Sequence, residues 1–185
     1  VAAAGREALH GETVVLRPAT AGDAERLTEI LTHPGVAEWW GAWDLDRVRG
    51  DLLDADDAVT FAVEAGGQVI GLIQYAEEDE PEYRHAGIDV SLHPAWHGRG
   101  LGADAVRTLA SYLFEQRGHH RITIDPAAHN QRAIRCYQRV GFRPVGVMRR
   151  YERGADGSWH DGLLMDLLAE ELAPPAGRPA RGGPR

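Results

Sequence analysis

Between residues 58 and 92 apolar positions alternate with polar ones or gather in short blocks; after residue 98 they recur at the period of a helix. AVTFAVEA (58–65), a glycine pair, and QVIGLIQYA (68–76) predict a β-hairpin. EEDEPE (77–82) predicts a loop, and HAGIDVSL (85–92) the next strand. TVVLR (13–17) predicts an earlier strand. Ala24, Leu27, Ile30 and Leu31 then follow helical spacing up to His33-Pro34, with Thr20 and Asp23 at the spacing of a capping box. Residues 44–54 predict a polar helix, 99–117 and 129–140 two further helices, and RITID (121–125) a strand. FRPVGVMRRYER (142–153) and SWHDGLLMDLLA (158–169) predict a closing pair of strands around GADG.

The predicted order is β-α-α-β-β-β-α-β-α-β-β. That is an α/β fold with a mixed central sheet of about seven strands and about four helices. Its first strands pair antiparallel, and crossover helices surround the fifth. Residues 12–172 read as one folded domain. Residues 1–11 read as a loose lead-in, and 173–185, with PPAGRPARGGPR, as a disordered tail.

With 185 residues and 43% hydrophobic composition, the chain supports one domain with a real core. A net charge of −8 disfavours nucleic acid and anionic membranes, which attract cationic surfaces. A small cationic partner suits it better. Every basic residue is arginine, which excludes Schiff-base chemistry and a P-loop lysine. One cysteine, Cys136, excludes an internal disulfide and a multi-cysteine zinc site. Of the nine histidines, His93 and His97 are four apart, but Pro94 and Gly98 make that pair a turn and spacing places no third ligand, so no metal is expected. The start has no secretory h-region and no stretch has the length of a membrane span, so a cytoplasmic location is expected.

WHGRGLGADAV (96–106) carries the first chemical signal. Gly98, Gly100 and Ala103 satisfy the dinucleotide pattern G-x-G-x-x-[GA], with Asp125 near the expected acidic position. HPAWH, however, separates the glycines from their strand, and too few units follow for a doubly wound domain. A second reading is a turn that bares backbone N–H groups at a helix N-terminus and cradles an anion such as a diphosphate, with Arg99 adding charge. A glycine-rich turn with no ligand is the third.

DPAAHNQRAIRCYQRVGF (125–142) adds the second signal. Gly100-x-Gly102, then Asn130-x-Arg132-Ala133 and Tyr137, then Gly141-Phe142, resemble the GCN5-related N-acetyltransferases (GNAT superfamily) over roughly residues 13–168. The resemblance implies the GNAT fold, with the sheet splayed between the fourth and fifth predicted strands. It implies acetyl-coenzyme A as co-substrate, held by His97, Gly98, Arg99, Gly100, Leu101, Gly102 and Ala103 and by Asn130, Arg132, Ala133 and Tyr137. His97 stands where the family usually has Gln or Arg. A backbone N–H near Val90 or Leu92 would meet the acetyl oxygen, and Tyr137 would protonate the departing thiolate. Cys136 reads as core. Asp89 and Asp125, at strand ends beside the presumed cleft, are candidates to bind the acceptor ammonium and relay its proton.

HPGVAEWWGAW (33–43) with GID (87–89) is similar to the aminoglycoside 6′-N-acetyltransferases, and also to acyltransferases of siderophore amines and protein N-termini. Trp39 and Trp40 would wall the acceptor cleft. The acidic run, with Glu80 and Glu82, is expected at its mouth, where it would steer a polycation. Arg84 is a candidate for binding an acceptor carboxylate instead. A catalytically silent coenzyme-binding module that docks a basic partner is the non-enzyme alternative, and the protein is expected to be a monomer or a homodimer.

Overall fold

The computed structural model describes residues 7–154 and 156–175. Its strands are β1 (Leu9–His10), β2 (Val15–Pro18), β3 (Val59–Ala65), β4 (Gln68–Glu78), β5 (His85–Leu92), β6 (Arg121–Ile124), β7 (Arg143–Arg153) and β8 (Trp159–Leu168). They form one sheet in the order β1-β2-β3-β4-β5-β6-β8-β7. Its helices are α1 (Ala24–Thr32), α2 (Pro34–Trp40), α3 (Leu45–Arg47), α4 (Leu101–Glu115) and α5 (Gln131–Val140).

The seven expected strands are present, and β1 makes an eighth. Two residues are too few to show alternation, so only pairing reveals it: Leu9 faces Leu16 and His10 faces Val15. Part of the expected lead-in is therefore ordered. Asp104 of α4 holds the bend between β1 and β2, accepting the N–H groups of Glu12, Thr13 and Val14. At the other end Ala173 is tied down, donating to the Val140 carbonyl and accepting from Arg107. The rest of the expected tail, from residue 176, lies outside the described residues.

His33-Pro34 ends α1 as expected, but it also starts α2. Proline occupies the first turn, where its missing N–H costs nothing, and the His33 ring accepts the Gly35 N–H at 3.1 Å. The helix expected at 44–54 is divided. Asp44 caps α3 by accepting the Arg47 N–H, and a π-helical segment continues through Val48–Leu53. That widening keeps Val48 and Leu52 against the core, where both are buried.

Two apolar layers sandwich the sheet. On one face Val106, Leu109 and Leu113 of α4 and Ile134 and Val140 of α5 pack on Phe61, Ile73, Tyr75 and Ile88. On the other, Leu27 and Leu31 of α1 pack with Val36, Val48, Leu52 and Leu72. Antiparallel pairing carries the sheet from β1 to β5. β5 and β6 are parallel, and they pair only at Ala86↔Ile122 and Gly87↔Thr123. Beyond Gly87 the strands part, so the expected splay lies between β5 and β6.

The acidic run sits at the wrong end of the sheet for the expected role. Glu78 pairs with His85 at the start of β5, whereas the splay opens toward Leu92. Glu80 and Glu82 therefore do not line the cleft. Glu77 is engaged in structure instead: its carboxylate takes Arg117 at 2.7 Å and the His119 ring at 2.7 Å. Arg84 is likewise remote, donating to the carbonyls of Arg117 and Gly118.

Candidate active site

A cleft of about 690 Å³ opens where β5 and β6 separate. The parallel register explains which residues meet there. Asp89 and Asp125 each lie two positions past the last pair, Gly87↔Thr123, so they stand level as the strands diverge. Both line the cleft, as do Val90 and Leu92 on the freed edge of β5.

The glycine turn forms one wall. Gly98 and Gly100 have φ of 76° and 80°, a left-handed geometry that side chains resist. No atom lies within 4 Å of where a Cβ would stand at either position, so the backbone is bare toward the cleft. Gly100 is the N-cap of α4, which puts the unpaired N–H groups and positive dipole end of a 15-residue helix at the same place. Leu101, Gly102 and Ala103 continue the lining. His97 lies in this wall too. Its Nε2–H donates to the Leu92 carbonyl at 2.8 Å, tying the turn to the end of β5. Burial pushes its pKa down, so the ring gives no fixed charge to a phosphate. Arg99 leans over the Trp96 ring at 5.0 Å and is not part of the lining.

Helix α5 forms the facing wall. Asn130 caps it, its side-chain oxygen accepting the Ala133 N–H at 3.1 Å. Arg132, Arg135 and Arg139 all line the cleft; spacings of three and four place them on one helical face. The sequence reading singled out only Arg132, although the same spacing marks the other two. Cys136 sits between α5 and α4, with Sγ in van der Waals reach of a Cβ at Gly102. Burial pushes its thiol up, which keeps it protonated and unreactive. Tyr137 is 7% exposed and borders the same space. Burial, then Cys136, Asp89 and Asp125, push its phenol far above the usual range.

The far end of the cleft is acidic. Asp89 opens to the cleft yet is ringed by protein. Burial raises its pKa; Gln74, donating at 3.3 Å, opposes that, and Asp125 adds to it. Glu152 also lines the space, and burial together with Asp125 raises it too. Elsewhere carboxylates are paired: Asp23 with Arg17, Asp166 with Arg121. Asp89, Asp125 and Glu152 have no arginine partner among the described residues. Trp39 and Trp40 complete this end. Adjacent helical residues diverge: Trp39 meets the His129 ring at 5.0 Å, tilted by 45°, while Trp40 packs toward Trp43 at 6.2 Å. Tyr151 and Glu152 of β7 were not foreseen from sequence.

Among the described residues no group of three or more His, Cys, Asp or Glu is arranged to hold a metal ion. Among them, too, no helix is long and apolar enough to cross a membrane. His93, paired by spacing with His97 in the sequence, accepts the Ala95 N–H and meets His33 edge-on at 4.8 Å.

A diphosphate carrier fits the bare turn and the arginine face. Gly100→Ala is expected to weaken binding of coenzyme A at least about tenfold, because it strains the turn by about 1–2 kcal/mol and fills the open side. Isothermal titration of the two proteins checks this; equal affinities would remove the turn from the binding site.

Comparison with known proteins agrees. Residues 13–143 match the acetyltransferase (GNAT) domain family. The chain is 32% identical over 157 residues to aminoglycoside N(6′)-acetyltransferase type 1 of Klebsiella pneumoniae, covering 74% of this chain and 77% of that one. Among solved structures it resembles aminoglycoside acetyltransferase AAC(6′)-Ib in complex with coenzyme A, at 29% identity and a TM-score of 0.72, covering 86% of this chain and 96% of that one. Mycobacterium smegmatis RimJ in complex with CoA-disulfide shares the fold at 23% identity and a TM-score of 0.79, with 90% of each chain covered. With the family's domain matched over most of its length, the splayed sheet, and the glycine turn at the head of α4, this chain belongs to the GNAT acetyltransferases.

Proposed function

We propose that the protein transfers an acetyl group from acetyl-coenzyme A to a primary amine of a polycationic acceptor, the 6′-amino group of an aminoglycoside, and so confers resistance. The observation that carries this reading is the polarity of the cleft. Three arginines free of ion pairs among the described residues, and a helix N-terminus, line one end; three unpaired carboxylates and two tryptophans line the other. An anionic carrier and a cationic acceptor are each attracted to their own end. A structure of AAC(6′)-Ib with coenzyme A and kanamycin, 28% identical to this chain, supports the same pairing of ligands.

Acetyl-coenzyme A supplies the acyl group as a thioester. The turn at Gly98–Gly102 and the arginines of α5 hold its phosphates. The free edge of β5 at Val90 and Leu92 aligns the arm and offers an N–H to the acetyl oxygen, a contact worth about 3 kcal/mol. Asp89 and Asp125 bind the ammonium. Neutralising an alkyl ammonium at pH 7 costs about 4–5 kcal/mol, and Asp89, whose pKa burial raises, accepts the proton. As the C–N bond forms and the C–S bond breaks, Tyr137 gives its proton to the thiolate.

Purified protein with acetyl-coenzyme A should release thiol on addition of kanamycin, followed by a thiol-reactive dye. Release with spermidine or a peptide N-terminus but not with kanamycin would replace the acceptor and keep the chemistry. Tight coenzyme binding without transfer to any amine would overturn the enzymatic reading.

A further inference from the structure

Tyr151 and Glu152 are consecutive in β7, yet both line the cleft. Successive strand residues point to opposite faces, so something has broken the alternation. Between the pairs Met148↔Gly162 and Glu152↔His160, three residues (Arg149, Arg150 and Tyr151) stand opposite Asp161 alone. This is a bulge, a device that re-aims side chains. Arg150 sits at φ 49° within it, the one non-glycine residue with positive φ among the described residues.

Such a conformation persists only where its surroundings impose it. Asp161 does so. Its Oδ1 accepts the Arg150 N–H at 2.8 Å, and its backbone carbonyl accepts the Ala128 N–H at 2.8 Å. One residue thus clamps both the chain entering Tyr151 and the chain that has just left Asp125. Gly162 supplies the space: a Cβ there would stand 2.8 Å from Tyr151 Cδ1. The ring is seated over a gap only glycine leaves, on the residue that bridges Ala127 just beyond Asp125, and Tyr151 and Asp125 line the same cleft.

We propose that Tyr151 is a positioning residue for the acceptor amine: its hydroxyl donates to Asp125 and fixes the carboxylate with one oxygen free to receive the ammonium. This rests on Asp125 binding the acceptor, as proposed above. An ionised carboxylate has about four lone-pair sites, so one oxygen can be held while the other works. The pairing with Asp125 pushes the Tyr151 phenol up to about 12, so it stays a donor and does not compete for the amine's proton.

The test compares Tyr151→Phe, Asp125→Asn and the double variant with kanamycin and acetyl-coenzyme A. Tyr151→Phe should raise the acceptor KM about tenfold, the loss of one hydrogen bond to a charged group, with acetyl-coenzyme A KM and thermal midpoint unchanged. In the Asp125→Asn background the same change should matter less than about twofold. Gly162→Ala should shift acceptor KM in the same direction as Tyr151→Phe. An equal loss in both backgrounds, a matching rise in acetyl-coenzyme A KM, or no loss at all overturns the proposal alone. An Asp125→Asn enzyme with wild-type kinetics sinks the acceptor reading and this one together. A measurement free of any acceptor stands beside these. In protein labelled with 13C at tyrosine Cζ, the resonance missing from Tyr151→Phe should move in Asp125→Asn; an unmoved resonance overturns the pairing.

Discussion

Tyr137→Phe is expected to lower kcat about 100- to 1000-fold while leaving coenzyme A affinity within about twofold of wild type. The range is the ordinary contribution of a positioned proton donor. Two features make the phenol a donor and not a base. It is buried and it lies near two carboxylates, and both conditions hold its proton far above the neutral range. The substitution removes one oxygen and keeps the ring that packs 6.2 Å from Phe142, so α5 and its arginines stay in place. Because the lost interaction acts only as the thiolate forms, kcat and kcat/KM should fall together. Steady-state kinetics with titration of coenzyme A separates these quantities. Turnover within threefold of wild type would take the proton donor away from Tyr137.

Asp104→Ala is expected to destabilise the fold by about 3–4 kcal/mol, about 10 °C in thermal midpoint for a domain of this size. Asp104 is 7% exposed and lies in the first turn of α4. Its carboxylate accepts from the N–H of Glu12, Thr13 and Val14 at 3.1, 2.7 and 3.1 Å, and from the Thr13 hydroxyl at 2.8 Å. Alanine leaves these donors without a partner and removes an anion from the positive end of the helix dipole. Asp104→Asn should recover little, since its amide N–H₂ would face other donors. Urea unfolding gives the difference; a loss under about 1 kcal/mol would show that water replaces the carboxylate. Hydrogen exchange should localise the damage to β1 and the start of β2. The helix whose N-terminus lines the cleft is thus fastened to the sheet by the same residue that folds the N-terminus back.

How much of this was legible beforehand depended on the range of the interaction that decides each feature. The hairpin of β3 and β4 follows from alternation and a glycine pair, and α5 from its apolar period. The glycine turn was legible because left-handed backbone selects for glycine locally. The juxtaposition of Asp89 and Asp125 was half legible: one lies within a predicted strand and the other closes the next, but their meeting depends on a parallel register between segments 36 positions apart. The acidic run shows the opposite failure. Its charge is plain in the sequence, but a hairpin has two ends, and only the topology shows that Glu80 and Glu82 lie at the end away from the splay. His97 was read as a coenzyme contact in place of the usual Gln or Arg, and only the structure shows its hydrogen bond to the Leu92 carbonyl.

The sequence by itself determined the β3–β4 hairpin, the principal strands and helices and the left-handed glycine turn, because local backbone preference and hydrophobic period act within one segment; the resemblance of its motifs pointed to the fold family and to Tyr137. Only the tertiary structure decided that three arginines line the same cleft as the turn, and that β1 and α2 exist. It alone, too, turned Tyr151 and Glu152 to the same side. These depend on contacts between distant segments, on the Asp161 clamp and on the space above Gly162, and no short-range pattern encodes a contact whose two halves are folded together from far along the chain.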